Sequence, residues 1–139
     1  MFRQRDHTAD LALEVEAASL PELFAEALRG LTDCVTDVAG IEPRHRRRLK
    51  ASAAALDLLL AAFLDEALYR FEAGGELYSG ARVALRRGAA GHELAAEVLG
   101  ERLDPERHPV KTAIKGVTLH GLAVERRAEG WRARVVLDI

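Results

Sequence analysis

The chain predicts a single α+β domain, two helices packed on a largely antiparallel β-sheet, and three observations carry that expectation. Two apolar stripes recur at three- and four-residue steps. Alternating runs, several of them rich in valine, lie outside the stripes. Glycine-bearing turns of hairpin length separate the runs of the C-terminal half. A length of 139 residues suits one domain with its own hydrophobic core.

After an N-terminal strand-like run, Leu11, Leu13 and Val15 alternate with Ala12, Glu14 and Glu16, as in a half-buried strand. "SLPEL" then starts a helix: Ser19 is placed to cap it, Glu22 follows at capping-box spacing, and Pro21 falls in the tolerant first turn. Leu20, Leu23, Phe24, Ala27, Leu28, Leu31, Cys34 and Val35 form its stripe, and residues 37–40 end it. The basic run with Arg44, Arg46, Arg47, Arg48 and Lys50 alternates with Leu49, Ala51 and Ala53, which suits an exposed strand whose charge discourages edge pairing. A second helix is expected over residues 56–72, with Leu56, Leu59, Leu60, Phe63, Leu64, Ala67, Leu68 and Phe71 on its stripe. Gly74 and Gly75 stop it. "ELYSGARVALRR" and "HELAAEVLGERL" read as one hairpin, turning at residues 88–91. "DPERHP" is a loop by composition, and residues 111–115 continue it. "GVTLHGLAVERR" and "WRARVVLDI" read as a second hairpin, turning at "AEG".

Composition excludes several functions. A formal net charge of −2 provides no overall basic field for nucleic acid, and 5% aromatics leave little for base stacking. The longest apolar run, "AAALDLLLAAFL", is broken by Asp57 and soon meets Asp65 and Glu66, short of the ~18 residues a membrane span needs. No secretory h-region opens the chain, and Cys34 reads as a small core residue, so a cytoplasmic protein with no membrane partner is expected. No nucleophile elbow, phosphate loop, zinc pattern or dinucleotide fingerprint is present.

Three polar stretches remain. "DHTAD" places Asp6, His7 and Asp10 together, most simply as a turn with side-chain caps. "IKGVTLH" sets Lys115, Thr118 and His120 among apolar residues, and "VVLDI" brings Asp138 beside the α-carboxylate of Ile139. If Asp10 lies next to Asp138, three acidic groups converge, and they repel one another unless a cation is near. A hard divalent metal with oxygen ligands and a buried lysine such as Lys115 both answer that need. A tetrahedral zinc site fits less well, because no cysteine belongs to the set.

These stretches, together with "DHTADLALEVEAASLPELFAEAL", "LDLLLAAFLDEALYRFE" and "GERLDPERHPVKTAIKGVTLHGLAVE", resemble the archease family almost end to end. The resemblance implies a small α+β cofactor protein, not an enzyme, whose partner is an RtcB-type RNA ligase. Such ligases join 2′,3′-cyclic-phosphate or 3′-phosphate ends to 5′-hydroxyl ends in tRNA splicing and RNA repair. Family members accelerate guanylylation of the ligase histidine and support multiple turnover, so RNA is reached only through the ligase. The resemblance further implies a divalent cation, calcium with Mg²⁺ or Mn²⁺ as alternatives, held by Asp10, Asp138 and the carboxylate of Ile139. A functional lysine falls on Lys115, with Asp6, His7 and His120 in support. Gly116 and Leu119 depart from the family's usual alanine and aromatic. A metal-dependent hydrolase using the same acids, and an RNA-binding or chaperone module using residues 44–50, are the rival readings.

Overall fold

We describe residues 1–6 and 10–139 of a computed structural model, and for Arg5 and Asp6 the backbone alone. The order is β1 (Phe2–Asp6), β2 (Asp10–Ala17), α1 (Leu20–Val35), a 3-10 turn (Val38–Gly40) and β3 (His45–Ala53). Then come α2 (Leu56–Gly74), β4 (Glu76–Gly88), β5 (Gly91–Arg102), β6 (Gly116–Arg127) and β7 (Gly130–Asp138). The α+β expectation holds, and all strand pairs are antiparallel. The strands divide into two sheets, however, with orders β1-β2-β7-β6 and β3-β5-β4. Turn residues identify each hairpin, but they do not tell a hairpin which other strands to join.

Local chemistry sets the helix ends. Ser19 Oγ accepts the Glu22 N–H at 3.3 Å, satisfying one of the four donors that a helix start leaves unpaired. α2 begins without a side-chain cap, and Asp57 in its first turn faces the positive end of the helix dipole. It ends two residues later than expected: Gly75, with φ 70°, turns left-handed and returns its N–H to the Arg70 and Phe71 carbonyls.

Each helix touches both sheets, α1 through β4 and β2, α2 through β3 and β6, so the pair fills the space between them. Phe24 and Phe63 meet at the centre with ring centroids 6.3 Å apart, and both are fully buried. Leu11, Leu13 and Val15 of β2, and Ala133, Val135 and Leu137 of β7, face this core. Leu49 of β3 and Leu94, Ala96 and Val98 of β5 close it from the other sheet.

The loop before β6 is pinned by polar contacts that its composition does not announce. His108 is buried, and its Nδ1 accepts the Asp104 N–H at 2.9 Å. The neutral ring therefore carries its proton on Nε2, which lies 3.2 Å from both the Gly40 carbonyl and Glu101 Oε2. Thr36 Oγ1 donates to the Pro109 carbonyl at 2.8 Å, and the Lys111 N–H donates to the Val35 carbonyl at 2.7 Å. These bonds tie the loop to the end of α1 and so fix where β6 starts.

Candidate functional site

β2 and β7 are the two central strands of their sheet, and their register is set by the core. Leu11 pairs with Leu137 and Leu13 with Val135, and a slip of one residue would turn all four toward solvent. The same register places Asp10 directly opposite Asp138. Such cross-strand neighbours hold their Cβ atoms about 4.5–5.5 Å apart, and like charges in that position destabilise. Gly116, at the start of β6, lies on the other side of Asp138, and the Lys115 N–H donates to the Asp138 carbonyl at 2.7 Å. Three strands thus converge where the chain ends. The Ile139 side chain, next in sequence to Asp138, packs against the core.

Asp10 Oδ1 is buried and makes no hydrogen bond among the described residues. A buried oxygen left in this state costs about 1–3 kcal/mol unless something supplies positive charge. Its donor set is all oxygen, as a hard cation prefers. Among the described residues, no cluster of three or more His, Cys, Asp or Glu side chains stands ready for a metal ion. The Asp10 and Asp138 carboxylates are the side-chain oxygen donors that the strand register brings together here.

Lys115 does not take the buried place that the charge argument offered it. It is exposed, and its ammonium pairs with no acid among the described residues. The residue closes an irregular loop at the protein surface, where a long solvated side chain gains nothing by burial. His120 is likewise exposed, its N–H donating to Thr118 Oγ1 at 2.9 Å, and it sits in the irregular stretch of β6 between Thr118 and Ala123. Gly121 there has φ 76° and lies against Val136. The Asp6 backbone pairs with Leu11. His7 lies outside the described residues.

Sequence reasoning missed Asp65. From α2 it reaches β6, where its Oδ1 accepts the Val117 N–H at 3.3 Å. Partial burial raises its carboxyl pKa, and the Val117 bond counters part of that rise. Its sequence signal is slight, one of two adjacent acids, with Glu66, interrupting the apolar run of α2.

These features define a small two-sheet α+β protein in which strands β2 and β7 set two carboxylates face to face. The archease protein family model matches residues 2–139. An archease of Methanopyrus kandleri is 36% identical over 138 residues, 99% of each chain. One from Thermococcus gammatolerans is 33% identical over 135 residues, 96% of this chain and 95% of its own. The solution structure of Methanobacterium thermoautotrophicum protein 1598 superposes with a TM-score of 0.86 at 28% identity, covering 99% of this chain and 98% of that one. A Thermotoga maritima crystal structure, described as an archease and possible chaperone, shares the fold at a TM-score of 0.59 and 20% identity, covering 100% of this chain and 98% of its own. The chain belongs to the archease family.

Proposed function

We propose that the protein is a non-catalytic activator of an RtcB-type RNA ligase, promoting ligase guanylylation and multiple turnover in tRNA splicing and RNA repair. The observation that carries this reading is the register of Asp10 against Asp138, with a buried oxygen on Asp10 that has no partner among the described residues. Asp10, Asp138 and the Ile139 carboxylate hold a divalent cation, calcium before Mg²⁺ or Mn²⁺, and the bound ion supplies charge neutralisation for a phosphate. Lys115, whose backbone bonds Asp138, is exposed and its ammonium has no acid partner among the described residues, so it is able to meet a nucleotide phosphate at the ligase. Asp6, His7 and His120 shape the surroundings. The RNA ends to be joined are held by the ligase, and the setting is the cytoplasm.

The test is a turnover assay with a partner ligase. Asp10→Ala and Asp138→Ala are expected to reduce stimulation at least tenfold while leaving docking intact. Unchanged stimulation by both variants would overturn the acidic-site reading.

A further inference from the structure

The outer face of the β3-β5-β4 sheet is the strongest unassigned surface. Leu49, Leu94, Ala96 and Val98 point to the core, so the alternate residues of the same strands point outward. On β3 these are Arg46, Arg48 and Lys50, all exposed, and on β4 they include Arg82 and Arg86, also exposed. Glu93 and Glu97 of the central strand β5 are the only acids on this face among the described residues. Glu97 lies 3.5 Å from Arg46, and Glu93 lies 2.5 Å from Arg86. Arg48, Lys50 and Arg82 make no ion pair among the described residues. A chain of net charge −2 therefore concentrates an excess of three cations on one sheet face.

The geometry is that of a track. Alternate residues of a strand stand about 6.8 Å apart, so Arg46 and Lys50 span about 14 Å along β3. The two cation columns are separated by β5, about 10 Å from β3 to β4. Small Ala95 of β5 lies between them, in one row with Lys50 of β3 and Ala84 of β4, beside a depression of about 510 Å³. Edge-strand protection accounts for charge on β3 and β4, but it works with either sign and does not require cations throughout. The basic run of β3 alone reads as a solvated edge; the fold adds the β4 cations to the same face.

We propose that this face binds the phosphate backbone of a single-stranded RNA directly, with the strand lying along the two cation columns. Repeated unpaired cations over this length match a polyanion better than a single phosphate. No aromatic side chain belongs to the face, so recognition is of the backbone and is independent of base sequence. The face belongs to a different sheet from the Asp10–Asp138 pair, so the inference stands apart from the ligase reading.

The test uses the full chain and a fluorescently labelled oligouridylate, titrated by anisotropy over a series of salt concentrations, with poly-glutamate as competitor. Binding is expected with a log–log salt slope of about −2, from three unpaired cations at about 0.7 each on a single strand. The combined Arg48→Glu, Lys50→Glu and Arg82→Glu variant is expected to weaken it at least tenfold, and Asp10→Ala to leave it unchanged. Glutamine at the same three positions provides the milder variant if charge reversal disturbs folding. No binding at low salt, or equal weakening by Asp10→Ala, would overturn the proposal. Displacement by poly-glutamate as effective as by unlabelled oligouridylate would also overturn it and assign the face to an acidic protein.

Discussion

Two groups of acids in this molecule are built in opposite ways. Glu101 is nearly inaccessible and fully provided for. Its Oε2 accepts the Glu42 N–H at 2.6 Å and lies 3.2 Å from His108 Nε2, while its Oε1 meets the Arg107 guanidinium and lies 3.5 Å from Arg44. Asp10 faces another carboxylate and keeps a buried oxygen without a partner among the described residues. A charge surrounded by donors stabilises what it touches, and here it fastens the loop of residues 103–115 to β5 and the 3-10 turn. A charge denied donors costs stability, and such a cost is expected at a site that receives something from outside. Acid content therefore does not distinguish the two regions; the supply of donors does.

The largest expected effect breaks the satisfied cluster. Glu101→Ala removes the acceptor of the Glu42 N–H and leaves the His108 Nε2–H with the Gly40 carbonyl alone. Loss of one partner from a buried pair costs about 3–5 kcal/mol. The half-exposed arginines can turn to water, so about 3 kcal/mol is expected from urea denaturation. A loss under about 1 kcal/mol would show that the loop is held elsewhere and would dissolve the contrast with Asp10.

The pH dependence gives a smaller effect, with opposite signs near the two regions. Burial alone would raise the Glu101 carboxyl, but the Glu42 N–H and the Arg107 guanidinium outweigh it and hold the pKa below the usual 4.5. A depressed folded value means that the stabilisation is complete above the ordinary value and is lost as pH falls through the folded one. Asp65, beside the chain-end site, has its pKa raised above the usual 3.8 by burial. The folded state there holds its proton longer, so this group's contribution falls as pH rises between the two values. Denaturation between about pH 3 and 6 is expected to lose part of its acid-side slope in Glu101→Gln and to show a steeper one in Asp65→Asn. Identical slopes in both variants would refute the assignment.

What the sequence made legible follows from how local each signal is. The stripe of α1, the Ser19 cap, the Gly75 stop and both C-terminal hairpins rest on neighbouring residues, and each was readable. The division into two sheets was not, because it depends on β2 pairing with β7 across nearly the whole chain. Asp10 and Asp138 lie at the ends of alternating strands, a pattern that permits their meeting without requiring it. Resemblance to a family singled them out, and core register brought them together. Glu101 and His108 were unreadable for a different reason. "GERLDPERH" has the composition of a solvated strand end and loop, and burial of its charged groups is a tertiary event.

The smallest effect is the most direct reading of the Asp10–Asp138 pair. Asn at position 10 keeps the shape of the side chain, removes one of two facing negative charges, and brings an amide N–H₂ that can donate to Asp138. In the presence of a chelator, Asp10→Asn is expected to be more stable than the wild type by about 0.5 kcal/mol, the scale of a cross-strand pair. Added calcium should then raise the melting temperature of the wild type and leave that of the variant unchanged, since only a ligand favouring the folded state shifts the equilibrium. Placed beside the Glu101 variants, this gives a reversal of sign: neutralising a well-supplied acid weakens the fold, and neutralising a deprived one strengthens it. A variant less stable than the wild type without metal, or one retaining the full calcium-induced rise, would place Asp10 among the structural acids and remove the contrast.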